Sequence, residues 1–215
     1  MHSHKTFVPA AGRDWLLPFY DPLTRLIGAE RSRRRLAEGA AMAAGQRALE
    51  VGCGTGSLVL LLKRLHPRVD VVGLDPDARA LDRARRKAAR AGLSIQFDEG
   101  FAGRLPYADV SFDRVFSSLM FHHLELADKA QMLREVRRVL KPGGRLELLD
   151  FVPNAQPHRL LKRFVPPNEL MKDNVEHRVL TLMNESGFSD ARRVGYGRML
   201  IGRTAYYRAS SPLAD

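Results

Sequence analysis

The stretch Ala48 to Gly56, read as Ala-Leu-Glu-Val-Gly-Cys-Gly-Thr-Gly, sets the strongest limit on how this chain can fold. A short apolar run ends there in three alternating glycines, and Ser57 with the apolar run Leu58 to Leu62 then begins a helix. Glycine at 52, 54 and 56 removes every second Cβ, so the backbone can take positive φ and a ligand can lie against the peptide groups. The free N–H groups and positive dipole end of the following helix point back at the turn. The arrangement is a cradle for a polar small molecule.

Spacing narrows the ligand. A nicotinamide or flavin fingerprint needs G-x-G-x-x-G, whereas the glycines here run G-x-G-x-G and position 57 is Ser. A phosphate-binding P-loop needs Gly-Lys-Ser/Thr, and the first lysine after Gly56 is Lys63. Glu50 precedes the glycines, where a carboxylate repels pyrophosphate and attracts an amino- or sulfonium-bearing ligand. A cationic cofactor fits best.

Downstream, apolar runs and stop signals alternate. Val69 to Leu74 reads as a second strand ending at Asp75, with Asp77 placed to cap the helix Ala78 to Ala91. Ser94 to Phe97, Phe112 to Ser117 and Arg145 to Phe151 read as further strands. An amphipathic helix is expected over Asp128 to Leu140, ended by Lys141-Pro142-Gly143-Gly144. Val175 to Glu185 gives the final helix, and Ala191 to Val194 with Met199 to Tyr207 a closing antiparallel pair. The fold expected is a doubly wound α/β sheet of seven strands, Rossmann-like, with a reversed terminal strand. Residues 1–44 are expected to form a tail and helical cap, with Trp15 and Phe19 as core anchors and Arg31, Arg33, Arg34 and Arg35 on an exposed helix face. Residues 45–215 form the cofactor-binding domain, in which the proline-interrupted segment 152–172 shapes an apolar pocket.

Leu49-Glu-Val-Gly-Cys-Gly-Thr-Gly56 resembles the first motif of class I S-adenosylmethionine-dependent methyltransferases. Leu105-Pro-Tyr-Ala-Asp109, Ser111-Phe-Asp113 and the run Leu133 to Leu146 are similar to the quinone-biosynthesis branch of that family. The resemblance implies S-adenosylmethionine as cofactor and S-adenosylhomocysteine as product. It implies a cofactor site of Glu50, Gly52, Cys53, Gly54, Gly56, Asp75, Pro76, Phe101, Ala102 and Ser117. Asp75 would accept from both ribose hydroxyls, as an ionised carboxylate can. In the family the N-terminal part often covers the acceptor pocket, and the alternative for Trp15 and Phe19 is to be part of that cover. The alternative for Arg31, Arg33, Arg34 and Arg35 is to meet a phosphate group on an acceptor or lipid. One position departs from the pattern: where the family usually has Asp to accept from the adenine amino group, this chain has Phe101, so either its ring packs on the adenine or the amino group finds water or a backbone carbonyl instead. His122 and His123 follow the fourth strand, where an imidazole can serve as a general base or simply make a structural hydrogen bond. No metal site is expected, because no suitably spaced further ligands lie nearby.

Composition limits the partners. The formal charge is +11, from 35 Lys plus Arg against 24 Asp plus Glu, yet the basic residues are spread out and aromatic residues are only 7%. No stacking platform interleaves with the basic runs, so a solvated surface or one facing an anionic membrane is favoured over a nucleic-acid groove. The lone cysteine, Cys53, suits a reducing cytoplasm, and no stretch reaches the ~18 apolar residues of a membrane span. The expected activity is methyl transfer to a small apolar or aromatic, or lipid-like, acceptor. The alternatives are RNA or protein methylation and a non-catalytic regulatory protein that binds the cofactor.

Overall fold

A computed structural model describes residues 17–153 and 174–213, with the backbone alone described for 17–20. Two helices, α1 (Leu17–Leu26) and α2 (Ala29–Gly39), lead into the sheet domain. There β1 (Arg47–Val51), α3 (Ser57–Leu65), β2 (Asp70–Asp75), α4 (Ala78–Arg90) and β3 (Gln96–Glu99) form the first half. The second half is β4 (Phe112–Ser118), a 3₁₀ turn (Phe121–His123), α5 (Leu126–Val139), β5 (Leu140–Phe151), α6 (Glu176–Glu185), β6 (Ser189–Met199) and β7 (Gly202–Ser210). The strands lie in the order β3-β2-β1-β4-β5-β7-β6, with β7 antiparallel to β5 and to β6. This is the expected seven-stranded, doubly wound sheet with its reversed strand.

Alternation along each strand feeds two cores. Leu49, Val51, Val72, Leu74 and Val115 face the layer that holds Met132, Leu133 and Val136 of α5. Ala48, Val71 and Phe116 face Leu36 of α2, Leu58 to Leu62 of α3 and Leu81 of α4. A parallel strand covered on both faces is largely apolar, and the first two strands follow this rule except at Glu50 in β1 and at Asp70 and Asp75, the ends of β2. Asp77 caps α4 as expected, its side chain accepting from the amides of Arg79 and Ala80.

Two boundaries differ from expectation. Lys141 to Gly144 does not stand between helix and strand but lies inside β5, because Leu140 already pairs with Phe112 and the register then shifts. Gly143 N–H donates to Ser211 O while Ser211 N–H donates to Gly144 O, so the glycines form a bulge held by the end of the sheet. The closing hairpin is also longer than Ala191–Val194 with Met199–Tyr207. Gly195 and Gly197 do not interrupt β6, since a Cβ on Gly197 would fall 2.6 Å from Thr204 Oγ1 and one on Gly195 2.6 Å from Arg35 Nη2. These glycines admit neighbours rather than ending the strand. Trp15, the tail and nearly all of segment 152–172 lie outside the described residues, as does the side chain of Phe19.

Candidate functional site

β1 and β4 are adjacent although a whole βαβ half separates them in sequence, so strand order reverses between their C-terminal ends. Open α/β sheets bind ligands at such a crevice. The glycine turn rises there. Gly52 has φ +75° and stands where a Cβ would meet Met120 Cγ at 2.3 Å. Gly56 has φ +76° and would meet Ala84 Cβ at 2.9 Å, which lets α3 start tight against α4. Either position in any other residue type would combine a strained backbone with a clash.

The turn is tied down from below and from one side. The amides of Gly52 and Cys53 both donate to Leu74 O, at 2.8 and 3.0 Å. Gly54 N–H donates to Asp75 Oδ2 at 2.7 Å, and Asp77 N–H donates to Asp75 Oδ1 at 3.0 Å. Burial pushes the Asp75 carboxyl up, and these two amide bonds pull it back. Glu50 is only 2% exposed and accepts from Val59 N–H, one turn into α3, at 3.1 Å. It therefore acts from beneath the turn as a remote helix cap. Burial raises its pKa to about 8, against the opposing pull of the Arg33 charge and the Val59 amide.

α1 and α2 contribute more than a cover. Asp21 Oδ1 accepts from Thr55 Oγ1 at 2.6 Å and Ser57 Oγ at 3.2 Å, one residue before and one after Gly56. Its other oxygen accepts from Lys87 Nζ at 3.0 Å and Arg83 Nε at 3.4 Å. Burial opposes the Asp21 charge, but these donors hold its carboxyl below the usual range. Arg33 is buried at 7% exposure, and its Nε donates to Ser118 Oγ at the end of β4, at 3.3 Å. This corrects the exposed-face expectation for Arg33. The signal was present: Ala29, Arg33, Leu36, Ala37 and Ala40 follow helical spacing along one stripe, and only the charge of Arg33 disguised it.

Across the crevice, β4 ends at Ser118 and Leu119 takes a left-handed φ of +58°, unusual for a non-glycine residue. Met120 follows, packed over Gly52, and then the 3₁₀ turn. His122 Nδ1 lies 2.6 Å from Asp150 Oδ1, while His122 N–H donates to Asp150 Oδ2 at 2.7 Å. Phe151 N–H also donates to Asp150 Oδ1, at 2.6 Å. A carboxylate surrounded by donors fixes the His122 proton on Nδ1 and leaves Nε2 as an acceptor. The His123 ring lies 4.0 Å from that of His122, and its own Nδ1 is buried without a partner. Burial, then the neighbouring His122, lowers the His123 pKa to about 4, so this ring is neutral near pH 7.

Ser117 lies within β4, wholly buried, with an unpartnered Oγ. Phe101 follows β3 and is 46% exposed, its carbonyl accepting from Arg104 N–H. Ala102 packs beside it on the core edge, and Pro76 is partly exposed after β2. Glu50, the glycines, Cys53, Asp75 and Pro76 thus gather at the ends of β1 and β2. The histidines stand at the end of β4, and Phe101 and Ala102 lie beyond β3. Asp150 and Asp21 were missed from sequence. Asp150 had the same mark as Asp75, a carboxylate ending an apolar strand, whereas Asp21 was hidden within an aromatic run. Among the described residues no cluster of His, Cys, Asp or Glu could hold a metal ion, and no helix is long and apolar enough to cross a membrane.

Comparison with known proteins gives a consistent picture. A family model described as a methyltransferase domain matches residues 48–144. A demethylmenaquinone methyltransferase of Deinococcus radiodurans is 46% identical over 143 residues, covering 65% of this chain and 58% of that protein. One from Thermus thermophilus is 43% identical over 141 residues, covering 64% and 63%. The matched region therefore spans less than two thirds of either relative. The crystal structure of a SAM-dependent methyltransferase from Aquifex aeolicus superimposes with a TM-score of 0.70 at 21% identity, covering 91% of this chain and 96% of that one.

Proposed function

We propose that this protein is a class I, S-adenosylmethionine-dependent methyltransferase that methylates a small aromatic, lipid-like acceptor of the quinol class in the cytoplasm, a reading supported by the methyltransferase-domain match over residues 48–144 and the similarity to demethylmenaquinone methyltransferases. The observation that carries this reading is the left-handed glycine turn at the switch point, fixed by Asp75, together with the His122–Asp150 pair in the segment after β4. When bound, S-adenosylmethionine supplies an activated methyl group on a cationic sulfur, and S-adenosylhomocysteine is what remains after transfer.

The residues present fit that cofactor. The turn from Gly52 through Gly56, with Cys53, packs tightly on its neighbours, Met120 filling the Cβ space at Gly52 and Ala84 that at Gly56, and the buried Ser117 hydroxyl lacks a protein partner. Asp75 and Pro76 take the ribose end, where each carboxylate oxygen keeps a lone pair beyond its amide bond. Phe101 offers a ring face and Ala102 a backbone amide to adenine. Glu50 holds Val59 N–H below the turn, and the nearby Arg33 charge opposes the rise of its pKa.

On the acceptor side, His122 Nε2 takes the proton of a ring hydroxyl while Asp150 holds Nδ1–H and balances the resulting imidazolium. His123 supplies a neutral ring beside His122. Alignment of the reacting groups by this rigid crevice supplies up to about 7–11 kcal/mol of barrier lowering.

Calorimetry with S-adenosylhomocysteine, followed by mass measurement of products from a reduced isoprenoid naphthoquinone, tests the reading. Binding and a single added methyl are expected. Absence of binding by both cofactor forms would sink it.

A further inference from the structure

A second concave feature lies behind the glycine turn, on the helical face of the sheet. It is a groove of about 770 Å³ walled by α1, α2, α3 and α4, and none of the glycines, Asp75 or the histidines lines it. Among the described residues eight cationic side chains line it against two carboxylates, Asp21 and Glu30. Both carboxylates are already engaged, Asp21 by Thr55, Ser57, Arg83 and Lys87, and Glu30 by Arg25 at 3.3 Å.

Sequence spacing builds the positive wall. Arg83, Arg86, Lys87 and Arg90 occupy positions i, i+3, i+4 and i+7 of α4 and so share one face, and Arg64 approaches from α3. Like charges at this spacing repel. A basic residue in the last turn of a helix answers the helix dipole, which accounts for Arg64, Lys87 and Arg90 singly but not for their convergence with Arg83 and Arg86 on one concavity. Among the described residues Arg64, Arg86 and Arg90 have no hydrogen bond or ion pair. The floor is apolar, from Leu60, Leu61 and Leu65. Guanidinium forks that converge without carboxylate partners match the oxygens of a phosphate group.

We propose that the groove between α1, α2, α3 and α4 binds a multiply charged phosphate group, carried either by a soluble small molecule or by a lipid headgroup. The site is separate from the methyl-transfer reading and stands without it. It adjoins that site through Asp21 and Arg33, which line the groove while Asp21 also holds the glycine turn and Arg33 reaches Ser118.

The test uses the full chain and the triple variant Arg64→Glu, Arg86→Glu, Arg90→Glu, with calorimetry against tripolyphosphate and co-sedimentation with phosphatidylglycerol or phosphatidylcholine vesicles. Wild type is expected to bind tripolyphosphate or the anionic vesicles, and the triple variant to lose about tenfold or more of that affinity. Tripolyphosphate alone identifies a soluble ligand, and phosphatidylglycerol vesicles identify a headgroup. Cooperative thermal unfolding checks the variant, and the triple change to Gln replaces it where the Glu version does not fold. Wild type that binds neither probe, or variants that bind as wild type does, would overturn the proposal. Groove-dependent binding of an RNA oligonucleotide with neither phosphate probe retained would overturn it as well.

Discussion

His122 and Asp150 are joined twice, through the ring Nδ1 at 2.6 Å and the backbone amide at 2.7 Å, so neither ring rotation nor backbone drift can separate them independently. Asp150→Asn keeps the volume but weakens the hold on the tautomer and on the charged ring. Turnover should fall in Asp150→Asn and in His122→Gln by about 10²–10⁴-fold, with S-adenosylhomocysteine affinity unchanged. Retained turnover in both variants would remove the base.

Asp75 should matter to both stability and binding. It accepts the amides of Gly54 and Asp77, so Asp75→Ala leaves both donors unpaired at a cost of about 1–3 kcal/mol each. A lowered thermal midpoint together with at least about tenfold weaker cofactor binding is expected. A change in stability with full affinity would assign Asp75 to the turn alone.

Glu50 predicts a pH dependence. Its folded pKa is about 8 against 4.5 for the free group, so between those values the folded chain keeps a proton that the unfolded chain has released. Its contribution to stability therefore falls as pH rises from about 4.5 to about 8, by a total on the order of a few kcal/mol. Glu50→Gln keeps an acceptor for Val59 and removes the titration. Denaturant midpoints at pH 5.5 and 8.5 should differ less in the variant, with its advantage over wild type greatest at the higher pH.

Phe101 separates packing from hydrogen bonding at the adenine end. It is 46% exposed, so Phe101→Ala should change stability by less than about 0.5 kcal/mol while weakening S-adenosylhomocysteine binding severalfold. Phe101→Asp restores an acceptor and should bind more tightly than the alanine variant, by about 1 kcal/mol. Equal affinities in all three proteins would place adenine elsewhere.

The fold was readable because buried parallel strands write themselves as apolar runs, and because Gly52, Gly54 and Gly56 leave few alternatives for a turn. Reading failed where a residue's context is tertiary. Gly195 and Gly197 look like breaks until Arg35 and Thr204 are brought against them. Arg33 looks solvated until Ser118 arrives from a strand 85 residues away. Asp150 meets His122 only because β5 lies next to β4, a neighbourhood set by the sheet order. Local patterns thus located the glycine turn, while the charged partners around it depended on topology.

The bond from Asp21 to Thr55 and Ser57 also bears on how the chain may be divided. A fragment begun at residue 45 keeps every strand of the sheet, yet it leaves two hydroxyls, Arg83 and Lys87 without the carboxylate that gathers them. The leading helices are thus a component of the turn they rest upon.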